Sequence, residues 1–282
     1  MKTILCPTDF SACSENAAVY ASKIAKEFDS RLILLHVYET PMIYMNEPLL
    51  AIDELELSAQ AIANKGLKKL KVKLLKENKF LKVETQVEEG NISDHIKAIA
   101  DQEQVDLIIM GTTGKSRMKR IVLGSTSSHA IAKAGCPVLC IPKGDKYQGI
   151  KKIVFATDLN KDNMNAAMSL VTFAKHFDAE IIFVYVDEHL IYSDEQISDM
   201  TKKIRTHVSY NKMSGYISKN TSVTEGLEYF LKKNPADMLV MFSHEKHFPK
   251  TLINPSITKE MTSQSHIPLL ALPVNTHTLT GA

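Results

Sequence analysis

The chain is written twice, and this repetition limits the fold more than any other feature of the sequence. The stretch "KTILCPTDFSACSENAAVYASKIAKEFDSRLILLHVYE" aligns without a gap on "KKIVFATDLNKDNMNAAMSLVTFAKHFDAEIIFVYVDE", 149 residues further on. This frame superposes Thr8 and Asp9 on Thr157 and Asp158, Asn16 on Asn165, and Phe28 and Asp29 on Phe177 and Asp178. Whatever unit the first copy builds, the second builds again. Farther along, "DLIIM" recurs as "DMLVM" and "CPVLCIP" as "IPLLALP", now at a shift of 131 residues, so the second copy is 18 residues shorter. The shortfall lies opposite residues 39–83, where the first copy carries "TPMIYMNEPLL" and a long helical segment.

Within the first copy, short β-branched runs predict strands at 3–6, 31–37, 83–88, 107–110 and 137–141, and the segments between them predict helices at about 14–28, 53–78, 92–102 and 125–134. Strands apolar throughout imply a sheet covered on both faces. Alternation of strand and helix implies parallel order with right-handed crossovers. Each copy therefore reads as an open five-stranded α/β unit. The expected division is a first domain over residues 1–143, a linker over 144–150, a second domain over 151–275 and a tail over 276–282. The stretch "KGDKYQG" marks the linker by its polar, turn-rich composition.

With 44% apolar and 23% charged residues, the 282-residue chain has the composition of a globular protein. Basic and acidic residues number 34 and 32, so no global field points to nucleic acid or to a membrane, and neither is expected as a partner. Functional charge must be local. The longest apolar runs are strand-sized, far below the ~20 residues of a membrane-spanning helix. "MKTILCPTDFS" is too short and polar for a signal peptide, so a cytoplasmic location is expected. Cys6, Cys13, Cys136 and Cys140 form no CxxC pair and read as core residues. His244 and His247 lack a recognisable third ligand, so no metal site is expected, and His36 reads as a hydrogen-bonded structural residue.

The loop "GTTGKSRMKRIVLGSTS", residues 111–127, follows the fourth strand. In open parallel sheets, ligands settle outside the carboxyl ends of strands where the strand order reverses. Gly111 would let a ligand approach the backbone there, and Gly114 would turn the loop around it. Gly124, Ser125 and Thr126 open a helix, whose free N–H groups and positive dipole end favour an anion. Lys115, Arg117, Lys119 and Arg120 lie between the glycines and offer charge to a phosphate. The first strand ends in Pro7, Thr8 and Asp9, with Asp9 placed to accept a hydrogen bond from a ribose or base. "GTTGKS" is not a P-loop, because the required first glycine would fall at Ile109.

These residues resemble the universal stress protein family in a tandem arrangement that covers nearly the whole chain. The family's ATP-binding signature, Gly-x2-Gly-x9-Gly-Ser/Thr, is matched by Gly111, Gly114, Gly124 and Ser125, its aspartate by Asp9 and its adenine-contacting valine by Val37. The resemblance implies a Rossmann-like, adenine nucleotide alpha hydrolase-like fold. It also implies ATP as ligand, with Mg2+ as an accompanying ion. Met110 and Gly111 would flank the ribose, and Gly124, Ser125 and Thr126 would hold the phosphates. Pro7, Thr8, Arg117 and Ser127 complete the candidate set.

The second copy keeps Thr157, Asp158 and Val186 but has Phe242, Glu245 and Pro255 at the three glycine positions, so no ATP is expected there. Family members pair their fifth-strand edges in dimers, which implies that the two halves here pair as an intramolecular pseudo-dimer, with a further homodimer optional. The expected function is that of an ATP-binding, nucleotide-dependent stress-response regulator acting on an unidentified protein partner. The alternatives are slow ATP hydrolysis or autophosphorylation on Ser125, Thr126 or Ser127, and a nucleotide-free scaffold. No catalytic residue is assigned. The segment containing Met42, Ile43, Tyr44, Met45, Leu49 and Leu50 would cover the crevice, meet a partner or pack on its own domain. The acidic start and basic end of the helix that follows read as dipole matching.

Overall fold

The computed structural model describes residues 1–39, 49–112, 125–157, 163–188, 193–243 and 267–273. The first half runs β1 (Thr3–Pro7), α1 (Ala12–Glu27), β2 (Arg31–Tyr38), α2 (Leu49–Glu77), β3 (Lys82–Glu89), α3 (Ile92–Gln102), β4 (Leu107–Gly111), α4 (Ser125–Lys133) and β5 (Val138–Ile141). The second half repeats the order with β6 (Lys152–Ala156), α5 (Asn163–Phe177), β7 (Glu180–Asp187), α6 (Asp194–Val208), β8 (Met213–Lys219), α7 (Val223–Lys233), β9 (Met238–Ser243) and β10 (Leu269–Pro273). The segment from Met42 to Met45 lies outside the described residues.

The two halves form one ten-stranded sheet in the order β3-β2-β1-β4-β5-β10-β9-β6-β7-β8. All strand pairs are parallel except the central one, where β5 runs antiparallel to β10. At that seam Leu139 faces Leu270, Cys140 faces Leu269 and Val138 faces Ala271. The apolar edges of the fifth strands are thereby buried inside the sheet.

The outer edges are β3 and β8, and here the expectation of strands apolar throughout fails. Apart from Val83, the residues of β3 are exposed or half-buried, among them Lys82, Glu84, Glu88 and Glu89. Charges along an open edge discourage pairing with another chain.

Duplication extends to the hydrogen bonds. The Asp106 carboxylate accepts the backbone N–H groups of Lys2 and Thr3 at 2.6 and 2.9 Å, and the Asp237 carboxylate those of Lys151 and Lys152 at 2.7 and 2.8 Å. Asp29 and Asp178, each just after a helix, share a positive φ of 51° and 52°. Both α2 and α6 lead into an edge strand. Glu77 and Val208, their last residues, stand 131 positions apart, but α2 has 29 residues and α6 has 15. Most of the first copy's excess length is thus taken up as extra turns of α2.

One apolar core runs beneath α1, α2, α5 and α6 across both halves, from Leu67 and Leu74 through Ile4 and Phe155 to Ile204. Packed against it where the halves meet, the half-buried Phe28, just after α1, stacks on His176 and Phe173 and meets Phe177 edge-on. The opposite face holds two smaller cores, under α3 and α4 and under α7, and Ile131 touches both. The segment joining the halves is docked on α1. Asn16 donates to the Asp145 carbonyl at 2.6 Å, the Tyr20 hydroxyl donates to the Asp145 carboxylate, and Tyr147 packs edge-on against Tyr20.

Of the four thiols, Cys6, Cys13 and Cys140 are buried as expected, and burial pushes Cys6 and Cys140 up to about 12. Cys136 departs from expectation: it precedes β5 and is half-buried at the margin of the core under α4.

Candidate functional site

β1 lies between β2 and β4, and the chain departs from it on opposite sides, so the strand order reverses between β1 and β4. This is the crevice position favoured by ligands in open α/β sheets. Pro7 closes β1 in register with Leu35, and the next N–H, of Thr8, donates to the Leu35 carbonyl at 2.8 Å. Thr8 is buried, and its hydroxyl shares a 3.0 Å hydrogen bond with Ser14 while accepting the Phe10 N–H. The half-buried Asp9 carboxylate accepts the Ser11 N–H at 3.0 Å. Ser11 in turn caps α1 by accepting the Ser14 N–H. Pro7, Thr8 and Asp9 thus form a rigid turn whose carboxylate is held by its own backbone.

Two residues passed over in the sequence shape this turn. Phe10 adopts a φ of 59°, uncommon for a bulky residue, and its ring lies 4.4 Å from the His36 ring. The ring also occupies the space in which Gly66 of α2 lacks a Cβ. His36, expected to be structural, donates through Nδ1 to the Thr8 carbonyl at 2.7 Å. Val37, next on β2, is half-buried against the α3 side. Its backbone lies at the neighbouring strand end.

On the other side of the reversal, Met110 is buried among Ile96, Ala130 and the rest of the core under α3 and α4. Its side chain therefore belongs to the core, and only its backbone can serve a ligand. Gly111 has a packing reason to be glycine besides the expected approach of a ligand. A Cβ there would lie 2.7 Å from Cys13 Sγ and 3.1 Å from the Cys13 backbone, so the glycine admits the first turn of α1. Gly114, Arg117 and Gly124 lie outside the described residues, as do Lys115, Lys119 and Arg120.

α4 begins at Ser125, and Thr126 is half-buried in its first turn. Ser127 is not open to solvent: it is buried, and its hydroxyl donates to the Gly111 carbonyl at 3.0 Å. That bond ties the start of α4 to the end of β4. Among the described residues, two buried side-chain oxygens have no hydrogen-bond partner, Thr112 Oγ1 and Ser128 Oγ. Both belong to this junction of strand end and helix start. Buried hydroxyls are nearly always satisfied, and a ligand rich in acceptor oxygens beside a helix N-terminus fits such a pair.

The second half repeats the bond that closes the first strand, and differs at the strand opposite. The Thr157 N–H donates to the Val184 carbonyl at 2.9 Å, repeating the bond of Thr8. At the end of β9, however, Phe242 stands where β4 has Gly111, and its buried ring packs 5.2 Å from that of Phe155. Val186, the counterpart of Val37, is fully covered, because α7 approaches so closely that a Cβ on Gly226 would lie 2.7 Å from it. Asp158, Glu245 and Pro255 lie outside the described residues, as do His244 and His247.

Known proteins share both the sequence pattern and the architecture. The model of the universal stress protein family matches residues 1–142 and 149–273. Universal stress protein MJ0531 of Methanocaldococcus jannaschii is 38% identical over 147 residues, covering 51% of this chain and 84% of that protein. A universal stress protein of Thermus aquaticus is 31% identical, over 50% of this chain and 98% of its own length. A solved universal stress protein from Archaeoglobus fulgidus superposes along 97% of this chain and 98% of its own, with a TM-score of 0.72 at 19% identity. That last likeness speaks for the fold, and the family match spans both halves. The chain belongs to the universal stress protein family.

Proposed function

We propose that the first half binds one adenine nucleotide, ATP with Mg2+, at the carboxyl ends of β1, β2 and β4, and that the second half binds none. The observation that carries this reading is the junction of Gly111, Thr112 and α4, where two buried hydroxyls without partners meet a helix N-terminus pinned by Ser127. The Asp9 turn supports it from the other wall of the crevice. The signature glycines Gly111, Gly114 and Gly124 support it from the sequence. In this assignment Asp9 and the Val37 backbone meet ribose and adenine, the Met110 and Gly111 backbone lies along the ribose, and Arg117, Ser125 and Thr126 engage the phosphates. The ring of Phe242 argues against the same ligand in the second half.

A nucleotide held on one side of a two-part molecule suits a stress-response regulator whose occupancy is read by another protein. Phosphoryl transfer to Ser127 is disfavoured by its burial and its bond to Gly111, which leaves Ser125 and Thr126 as the acceptors to examine for the enzymatic alternative.

The test is calorimetric titration with ATP and chromatography of nucleotide released on denaturation, for the wild type and Gly114→Glu. One nucleotide per chain, absent from the variant, is expected. If the wild type gives neither heat nor released nucleotide, the reading is wrong.

A further inference from the structure

From Leu57 onward, after the acidic start at Asp53, Glu54 and Glu56, the outward face of α2 sets apolar and cationic side chains side by side. Ala63, Leu67, Leu70 and Leu74 turn inward and are buried. Opposite them, Leu57, Ala61, Lys65, Lys68, Val72 and Lys76 recur at intervals of three and four, which places them along one stripe, and all are exposed. The stripe is about 28 Å long at ~1.5 Å per residue. Between residues 57 and 80 the chain has seven lysines, one glutamate and no arginine. That glutamate, Glu77, is bonded to Lys23 at 2.7 Å, and among the described residues Lys73 is paired with Glu15. A chain whose net charge is only +2 therefore carries a dense local excess of positive charge.

The apolar members are equally distinctive. Leu57 is 66% exposed, Ile62 69% and Val72 47%, and Phe80, just past the helix end, is 92% exposed. Isolated exposed apolar side chains need no explanation, but four along one helix and its exit do. The repeat supplies the comparison. α6 occupies the same place in the second half and also runs from acid to base, with Lys202 3.5 Å from Asp199, yet none of its described residues is an exposed large apolar side chain. The fold therefore does not require the exposed apolar groups of α2.

We infer that the α2 face is a docking surface for an anionic lipid bilayer, on which the helix lies parallel to the membrane plane. Lysines at this spacing gain from anionic headgroups, while Leu57, Ile62 and Phe80 gain by entering the boundary between headgroups and acyl chains. A duplex of nucleic acid would satisfy the lysines and leave these apolar groups in water. The α2 helix does not span the bilayer: no helix among the described residues is long and apolar enough to cross a membrane.

The experiment is co-sedimentation of the full chain with vesicles of phosphatidylglycerol and phosphatidylcholine in equal parts, beside vesicles of phosphatidylcholine alone and beside duplex DNA. Thermal melting confirms that each variant folds, as substitutions at exposed positions should permit. Binding to the anionic vesicles is expected, weakened by salt. The triple variant Lys65→Gln, Lys68→Gln, Lys69→Gln should lose on the order of a hundred-fold, at roughly five-fold per lysine. The double variant Ile62→Ser, Phe80→Ser should also lose affinity at unchanged charge. Equal sedimentation with both vesicle types, none with either, or DNA binding that the apolar variant leaves intact while vesicle binding is absent would each overturn the inference.

Discussion

At the scale of single residues, one position separates the two halves. Gly111 lets Cys13 approach the end of β4, and Phe242 at the same place in the repeat fills that direction with a ring packed on Phe155. Placing a methyl group at Gly111 drives it against both a thiol and a backbone carbonyl. Gly111→Ala should therefore lower stability by about 1–3 kcal/mol, the usual cost of overpacking. Cys13→Ala in the same chain should recover part of the loss, since the Sγ contact at 2.7 Å disappears while the backbone contact at 3.1 Å remains. Urea midpoints of the two variants check this, and equal losses in both would show that Cys13 is not the obstacle. The glycine itself is evident in the sequence, but the helix that requires it comes from almost a hundred residues earlier, and no local pattern reports such a contact. For the same reason Thr8 and Ser127, legible as hydroxyls near a ligand, emerge as residues that bond the protein to itself.

Among the elements, strands and helices are readable because most of them repeat a periodic pattern twice, and among the described residues the first copy's elements fall within a few residues of the ranges read from sequence. The burial of β3 was not readable: a strand's place in the sheet depends on topology, and Lys82 to Glu89 make sense only as an edge. The joining segment is a similar case. Its polar, turn-rich composition predicts a linker but not its docking: Asp145 is half-buried against α1, receiving the Tyr20 hydroxyl and lying near Asp237. Burial raises the Asp145 carboxyl above its ordinary 3.8, opposed by the Tyr20 hydrogen bond. Just above that value the folded chain binds more protons at this site than the unfolded chain, so its contribution to stability is present at low pH and fades as pH rises through the folded value. Asp145→Asn keeps an acceptor for Tyr20 and removes the ionisation. The stability difference between variant and wild type should shift in the variant's favour from roughly pH 4 to pH 6, read as urea midpoints. A constant difference across that range would mean that Asp145 titrates alike in both states.

For the molecule as a whole, the seam between β5 and β10 determines how the halves are held. The register pairs Leu139 with Leu270, and these two residues are themselves 131 positions apart, so the pseudo-two-fold axis passes through that pair. Cys140 with Leu269 and Val138 with Ala271 then exchange places about it. A seam of this kind is self-complementary: β5 can pair with a second β5 in the same register, Leu139 against Leu139. Single units of this size occur as separate proteins, since MJ0531 aligns over 84% of its own length with about half of this chain. A fragment of residues 1–143 should therefore fold and form a dimer, with the ring of Phe28, left without Phe173 and His176, covered by the second copy. The full chain has already used that edge within itself, so its seam offers no such site. Sedimentation equilibrium of the fragment decides the matter. A folded fragment that stays monomeric at micromolar concentration would mean that the seam owes its stability to contacts particular to the second half, such as the stacking of Phe28 on His176, and not to the strand register.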